Sequence, residues 1–83
     1  MTYSTTRHAA DVIARRAIDS AWISLAITSP TRSEKDPIDP SLTHHLRRIP
    51  DFGNRVLRVI FDANVVPPRV ITVYFDRTVK DLP

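Results

Sequence analysis

The sequence predicts an α+β domain in which two N-terminal helices pack on a three- to four-stranded antiparallel sheet. Three observations predict this class. Apolar residues recur at helical spacing in the N-terminal third, they alternate at strand spacing from residue 43 onward, and the turn sequence PDFGN separates two alternating segments. The 83 residues suffice for a single domain, 1–83, and contain no internal repeat.

The first helix is predicted over residues 7–16, which contain neither glycine nor proline. Its N-terminus can be capped by Ser4, Thr5 or Thr6. Arg16 falls within the apolar stripe of this helix, and His8 lies two turns earlier on the same side. Arg16 can extend its head group to water or bind the last helical carbonyls. Alternatively, His8 and Arg16 line a site beside the sheet, where a buried cation would need a carboxylate partner from Asp19, Glu34 or Asp62.

The second helix is predicted over residues 20–28, with Asp19 as its N-cap and Pro30 as its stop. Apolar residues cover most of its circumference, so it is either buried on more than one side or docks on a partner. An exposed Trp22 would favour docking.

Strands are predicted at 43–49, 55–62 and 69–76, with a further short edge strand at 31–34. The 69–76 segment is the richest in β-branched and aromatic residues and is predicted to be the central strand. Its alternation assigns Val70, Thr72 and Tyr74 to one face and Ile71, Val73 and Phe75 to the other. The helices should cover one face of the sheet and leave the other partly open to water. Residues 76–83 are predicted to form a polar tail.

If Ile49 and Arg55 flank the PDFGN turn as a pair, Arg58 lies near Leu46, and Arg48 and Arg58 lie diagonally on one face of the sheet, within reach of one ligand. Such a pair can hold a phosphate and stabilise a developing negative charge. Tyr74 and one of the adjacent histidines, His44 or His45, can join them.

The charge composition is basic, with a formal net charge of +3 and a pI near 10. Lys35 and Lys80 are the only lysines among twelve basic residues. This arginine bias fits an RNA-binding surface or an acidic protein partner, and equally a GC-rich genome. The plain alternative for the arginine-bearing strands is a solvated face with cross-strand ion pairs to Asp62 or Asp76.

Several chemistries are excluded. The chain has no cysteine and therefore no disulfide or thiolate metal site, which suits a cytoplasmic location. His44 and His45 are adjacent on a strand and point to opposite faces, so no metal site is predicted. One glycine cannot build a nucleotide-binding loop, and no cofactor is predicted. The longest apolar run, 21–27, is far short of the ~20 residues that span a bilayer, so no membrane partner is predicted.

The segment HAADVIARRAI resembles the N-terminus of a small bacterial domain family of unassigned function. Members begin with a His-Ala pair and carry an arginine, a glycine and an isoleucine at a turn. His8, Ala9, Arg16 and Ile18 match this pattern, and Ala17 stands where the glycine is usual. The strand segments LRVIF and VITVY also resemble those of the family, which is in turn similar to the RelE/ParE and BrnT-like toxins.

This resemblance implies a RelE/ParE-like fold and a cytoplasmic toxin-like protein of a toxin–antitoxin pair. The leading interpretation is a metal-independent, mRNA-cleaving ribonuclease, with RNA or the ribosome as target and an acidic antitoxin as partner. Its catalytic residues would be Arg48, Arg58, His45 and Tyr74. RNA phosphate would be bound by Arg16, His8, Arg47 and Arg77. The alternative is a non-catalytic module that binds RNA or an acidic protein, or that forms a homodimer.

Overall fold

Two helices lie against a five-stranded sheet in the computed structural model, which describes residues 3–82. The elements, in chain order, are β1 (Ser4–Thr5), α1 (Arg7–Arg16), α2 (Ser20–Thr28), β2 (Arg32–Lys35), β3 (Leu42–Ile49), β4 (Arg55–Asp62) and β5 (Arg69–Phe75). A 3₁₀ turn, Pro50–Phe52, connects β3 to β4. The α+β class is therefore confirmed, with a larger sheet than the sequence predicts.

The strand order is β1-β5-β4-β3-β2, so β4 and not β5 is the central strand. β4 is hydrogen-bonded on both sides, to β3 and to β5, because short antiparallel connections join it to each. The additional strand, β1, has only two residues and runs parallel to β5, with Ser4 opposite Arg69 and Thr5 opposite Val70. So short a segment carries no alternation pattern from which it could be predicted.

The register of the β3–β4 hairpin is the predicted one. Ile49 pairs with Arg55 next to the turn, and this places Arg58 opposite Leu46 farther along. Gly53 (φ 64°) and Asn54 (φ 56°) both adopt left-handed backbone conformations in the turn, which glycine and asparagine tolerate best.

The face assignment of β5 is wrong at its N-terminal end. A bulge at Ile60/Phe61 sets Ile60 opposite Thr72 and Phe61 opposite Val70, which leaves Ile71 as the extra residue. Val70 is therefore buried among the core residues under the helices, together with Val73.

α1 begins at Thr6, whose hydroxyl accepts a hydrogen bond from the Ala9 amide at 3.1 Å. It ends in a Schellman motif. The Ile18 amide donates to the Ile13 carbonyl at 3.0 Å, and the Ala17 amide donates to the Ala14 carbonyl at 3.3 Å. Ala17 occupies the left-handed position of this motif (φ 52°, ψ 45°), so the turn forms without a glycine.

The Ala17→Gly variant is expected to be more stable than the wild type by about 1 kcal/mol, because glycine carries no Cβ penalty at a left-handed position. The melting temperature should rise by roughly 4–8 °C. Thermal unfolding followed by circular dichroism checks this. A melting temperature at or below the wild-type value would contradict the strain assigned to Ala17.

The main core lies between the helices and one face of the sheet, here called the helix face. Buried side chains of α2, Ile23, Ala26 and Ile27, pack against residues of the sheet that include Leu57, Val59 and Phe61. Trp22 is half-buried and also packs on this core. α2 is thus covered by its own chain along most of its apolar surface.

The opposite face of the sheet, here called the tail face, is partly covered by the C-terminal residues of the chain. Residues 76–82, here called the tail, cross it and bury Leu82 in a small cluster with Leu46, Val56 and Val79. An ion pair between Arg32 and Asp81 (3.3 Å) fixes the far end of the tail to β2. The tail is therefore not only polar, because its two apolar residues, Val79 and Leu82, pack against the sheet.

Candidate functional site

A groove of about 340 Å³ lies where the tail leaves β5 and passes the β3–β4 turn. Four cationic side chains line it: Arg48, Arg55, Arg77 and Lys80. Its one acidic lining residue is Asp76, and Val56, Phe75 and Val79 supply apolar wall. We call it the basic groove.

Different elements bring these cations together. Arg55 opens β4 directly after the turn, whereas Arg77 and Lys80 belong to the tail and are exposed. Arg48 of β3 reaches across the tail face and donates from Nη1 to the Asn54 carbonyl at 2.7 Å. It also donates from Nη2 to the Leu82 carbonyl, so the same side chain lines the groove and holds the tail.

The carboxylate of Asp76 does not cancel the positive charge of the groove. Its Oδ1 accepts from the amide and hydroxyl of Thr78 at 2.9 and 2.6 Å, and its Oδ2 accepts from Arg58 Nε at 2.9 Å. The Thr78 hydroxyl, followed by its amide and by Arg58, holds the pKa of Asp76 below the usual value. Both oxygens of Asp76 are therefore occupied by Arg58 and Thr78, and the four cations that line the groove outnumber this one carboxylate.

Arg58 is the centre of an ionic network on the tail face, and only 13% of its side chain is exposed. Besides Asp76 it donates from Nη1 to Glu34 at 3.0 Å and to His44 Nδ1 at 2.8 Å. His44 Nε2 lies 2.6 Å from Asp36 Oδ1. Because guanidinium only donates, the contacts assign His44 the tautomer with its proton on Nε2, directed at Asp36.

The charges of the network stabilise one another. The hydrogen bonds to Glu34 and Asp76 outweigh the effect of burial and raise the pKa of Arg58 above its usual value. The pKa of Asp36 is lowered, first by the Asp39 amide and then by His44. Arg58 thus forms the ion pair with Asp76 that the plain alternative predicted, and it contacts His44, one of the two histidines expected to join it. Its contact with Glu34 was not predicted.

An aromatic cluster adjoins the basic groove. The ring centroid of Phe52 lies 4.9 Å from that of Phe75 and 5.2 Å from that of Trp22. Phe52 remains 39% exposed. The guanidinium carbon of Arg55 lies 4.9 Å from the Phe52 centroid, within the range of a cation–π contact.

The predicted site residues are divided between the two faces of the sheet. Arg48 and Arg58 share the tail face, and Tyr74 pairs with Arg58 there. His45 and Arg47 lie on the helix face instead. Arg47 Nη1 donates to the Ser29 carbonyl at 2.9 Å and so caps the C-terminal end of α2.

His45 lines a separate, largely apolar groove of about 400 Å³ together with Phe61, Val65 and Val66. Its ring contacts that of Phe61 edge-on at 4.7 Å, and its Nδ1 lies 3.0 Å from the Ala26 carbonyl. The structure therefore does not bring His45 together with Arg48 and Arg58.

The two predicted phosphate-binding residues of α1 are exposed and do not line the basic groove. His8 Nε2 lies 3.4 Å from the Thr72 hydroxyl, and Arg16 sits in the last helical turn. Of the residues predicted to bind phosphate or to be catalytic, the basic groove contains Arg48 and Arg77. The sequence interpretation missed Arg55 and Lys80, although Arg55 directly follows the PDFGN turn.

The pH dependence of stability should carry a contribution from His45. Burial lowers its pKa from 6.5, so the unfolded chain takes up this proton more readily than the folded one. The free energy of unfolding should therefore fall as the pH drops below about 6.5. The carboxyls of Asp36 and Asp76 titrate near 3.8 when unfolded, below this window.

Urea unfolding of the wild type and of His45→Gln between pH 7.5 and 5 checks this contribution. The glutamine amide can still donate to the Ala26 carbonyl but does not titrate. The wild type should lose more stability than the variant over this interval. Parallel pH profiles for the two proteins would show that His45 is not the source.

Within residues 3–82, no three side chains of the types that ligate metals form a group able to hold an ion. No helix in that part of the chain is long and apolar enough to cross a membrane.

The fold and the groove define a small α+β domain in which four cationic side chains converge beside a tail that crosses the sheet. The chain belongs to the family described as domain of unknown function DUF4258, whose model matches residues 5–75. No curated protein and no solved structure matches it. Membership of this family does not tie the chain to the RelE/ParE-like toxins.

Proposed function

We propose that this protein is a nucleic-acid-binding module that holds the phosphodiester backbone of RNA in the basic groove. The observation that carries the proposal is the convergence of four cations, Arg48, Arg55, Arg77 and Lys80, on one groove. The only carboxylate among the lining residues, Asp76, is bound to Arg58 and Thr78. A phosphate entering the groove therefore meets an unbalanced positive charge.

The chemistry of the groove favours a phosphate backbone. Three of its four cations are arginines, whose planar fork binds phosphate oxygens two at a time and is weakly hydrated. Exposed Phe52 lies beside the groove, and surfaces that bind single strands combine cations with aromatic rings.

The toxin-like interpretation would add cleavage to binding. Its candidate catalytic residues lie in three different settings: Arg48 in the groove, Arg58 in the ionic network and His45 on the helix face. We therefore propose binding as the function and keep mRNA cleavage and an antitoxin partner as predictions from the resemblance. Strand breaks in an RNA incubated with the folded protein, absent from a groove variant, would establish a ribonuclease.

The binding proposal is tested with fluorescent ten-nucleotide RNA and DNA strands of the same sequence, as separate arms, by anisotropy. For single strands the logarithm of the affinity should fall with the logarithm of salt concentration with a slope of about −2 to −3, as expected for three to four phosphate contacts. The Arg77→Glu/Lys80→Glu variant should bind at least about tenfold more weakly at low salt.

The matched control is Arg7→Glu/Arg16→Glu, which changes the net charge equally on exposed positions of α1. It should bind with an affinity close to that of the wild type. Equal weakening by both variants would locate binding in the overall charge or on α1 and not in the groove. Failure of the wild type to bind either strand at low salt would overturn the proposal.

A further inference from the structure

Arg55 belongs to both the basic groove and the aromatic cluster. Its side chain lines the basic groove, and its guanidinium carbon also lies 4.9 Å from the centroid of Phe52. Phe75 likewise lines the groove while its ring lies 4.9 Å from that of Phe52. The phosphate-binding surface and the aromatic cluster are therefore contiguous.

The position of Phe52 is fixed by its neighbours. The 3₁₀ turn Pro50–Phe52 ends at Gly53, whose left-handed backbone turns the chain into β4. Trp22 and Phe75 pack on the ring of Phe52 and also on each other, edge-on at 6.1 Å. Phe52 is nevertheless 39% exposed, on a turn where a polar side chain would be expected.

We infer that Arg55 and Phe52 form a base-stacking site, and that the groove accordingly takes single-stranded and not duplex nucleic acid. This inference rests on the proposed function. Guanidinium planes and aromatic rings both stack on unpaired bases. In a duplex the bases are stacked internally, and only the backbone is accessible to the groove.

The contact with Phe52 lowers the cost of stacking on Arg55. An arginine on an open surface loses side-chain freedom when a base stacks on it. Here the cation–π contact already restricts the guanidinium before the ligand arrives. One strand would then bind with its phosphates in the groove and, at the same time, with a neighbouring base on Arg55 and Phe52.

The test compares three RNA probes of equal length: a single strand, the same strand with abasic sites, and a duplex. The wild type should bind the base-bearing single strand about tenfold more tightly than the abasic strand or the duplex, which corresponds to stacking of one base. The abasic strand keeps the phosphates, so its binding should remain salt-dependent.

Two conservative variants locate the site. Arg55→Lys keeps the charge and removes the plane, whereas Phe52→Leu keeps apolar volume and removes the ring. Each should lower the ratio of the affinity for the base-bearing strand to that for the abasic strand. Phe52→Leu, which changes no residue that lines the groove, should leave the affinity for the abasic strand unchanged. Circular dichroism melting confirms that each variant is folded, and exposed Arg55 offers the safer substitution.

The outcomes separate the two proposals. Salt-dependent binding with equal affinity for the base-bearing and abasic strands would overturn the stacking site and leave the phosphate groove standing. Tighter binding of the duplex than of the single strand would likewise overturn the stacking site and leave the phosphate groove standing. Binding to none of the probes would overturn the proposed function and the stacking site together.

Discussion

Replacement of Arg58 by methionine is expected to destabilise the protein by about 3 kcal/mol, the effect typical of removing one partner from a buried ion pair. The loss would leave Asp76 and His44, each with a 10% exposed side chain, without the cation that both contact. Methionine fills comparable volume, so the loss measures the polar network more than a cavity. Urea unfolding at pH 7 gives the free energy directly.

The matched control is Arg69→Met, at an exposed position of β5, which should change stability by no more than about 0.5 kcal/mol. A double-mutant cycle with Asp76→Asn isolates the direct pair, and its coupling should exceed about 0.5 kcal/mol. Wild-type stability for Arg58→Met would contradict the network. Because Arg58→Met is expected to be less stable, a loss of RNA cleavage in an Arg58 variant would not by itself show that Arg58 is catalytic.

The second large effect is expected from Leu82→Asn, which should both destabilise the protein and weaken RNA binding. Leu82 is 4% exposed and packs on Leu46 and Val56, so a polar amide there costs about 2 kcal/mol. Release of the tail would also withdraw Arg77 and Lys80 from the groove, and the affinity for single-stranded RNA should fall about tenfold.

Ile38→Asn is the control for this prediction because Ile38 is 91% exposed and the substitution is chemically the same. It should change neither stability nor binding. Affinity is measured at a temperature where circular dichroism shows Leu82→Asn to be folded. Unchanged RNA affinity in the folded Leu82→Asn protein would show that the tail does not position the cations.

Local patterns predicted most of the fold. The helix caps and the register across the PDFGN turn depend on residues close together in sequence. The structure agrees with Asp19 and with the register, and it selects Thr6 from the three candidate caps of the first helix. The errors arose where distant segments meet. The bulge at Ile71 reversed the predicted face of Val70, and β1 needs the edge of β5 to form at all.

The candidate site was predictable only in part, for the same reason. The spacing across the turn placed Arg48 and Arg58 on one face, as observed. It left open whether Asp62 or Asp76 pairs with Arg58, and it could not show that Glu34, which belongs to the edge strand β2, binds Arg58 as well. Lys80 enters the groove only because the distant Leu82 anchors the tail.

Nuclear magnetic resonance titration of the labelled protein with a single-stranded RNA tests the central claim most directly. We expect the largest amide shift changes at residues 53–56 and 75–80, together with the indole signal of Trp22, the only tryptophan of the chain. Changes confined to α1 or to the β2 edge, or an unchanged spectrum at saturating RNA and low salt, would contradict the assignment of the basic groove as the binding surface.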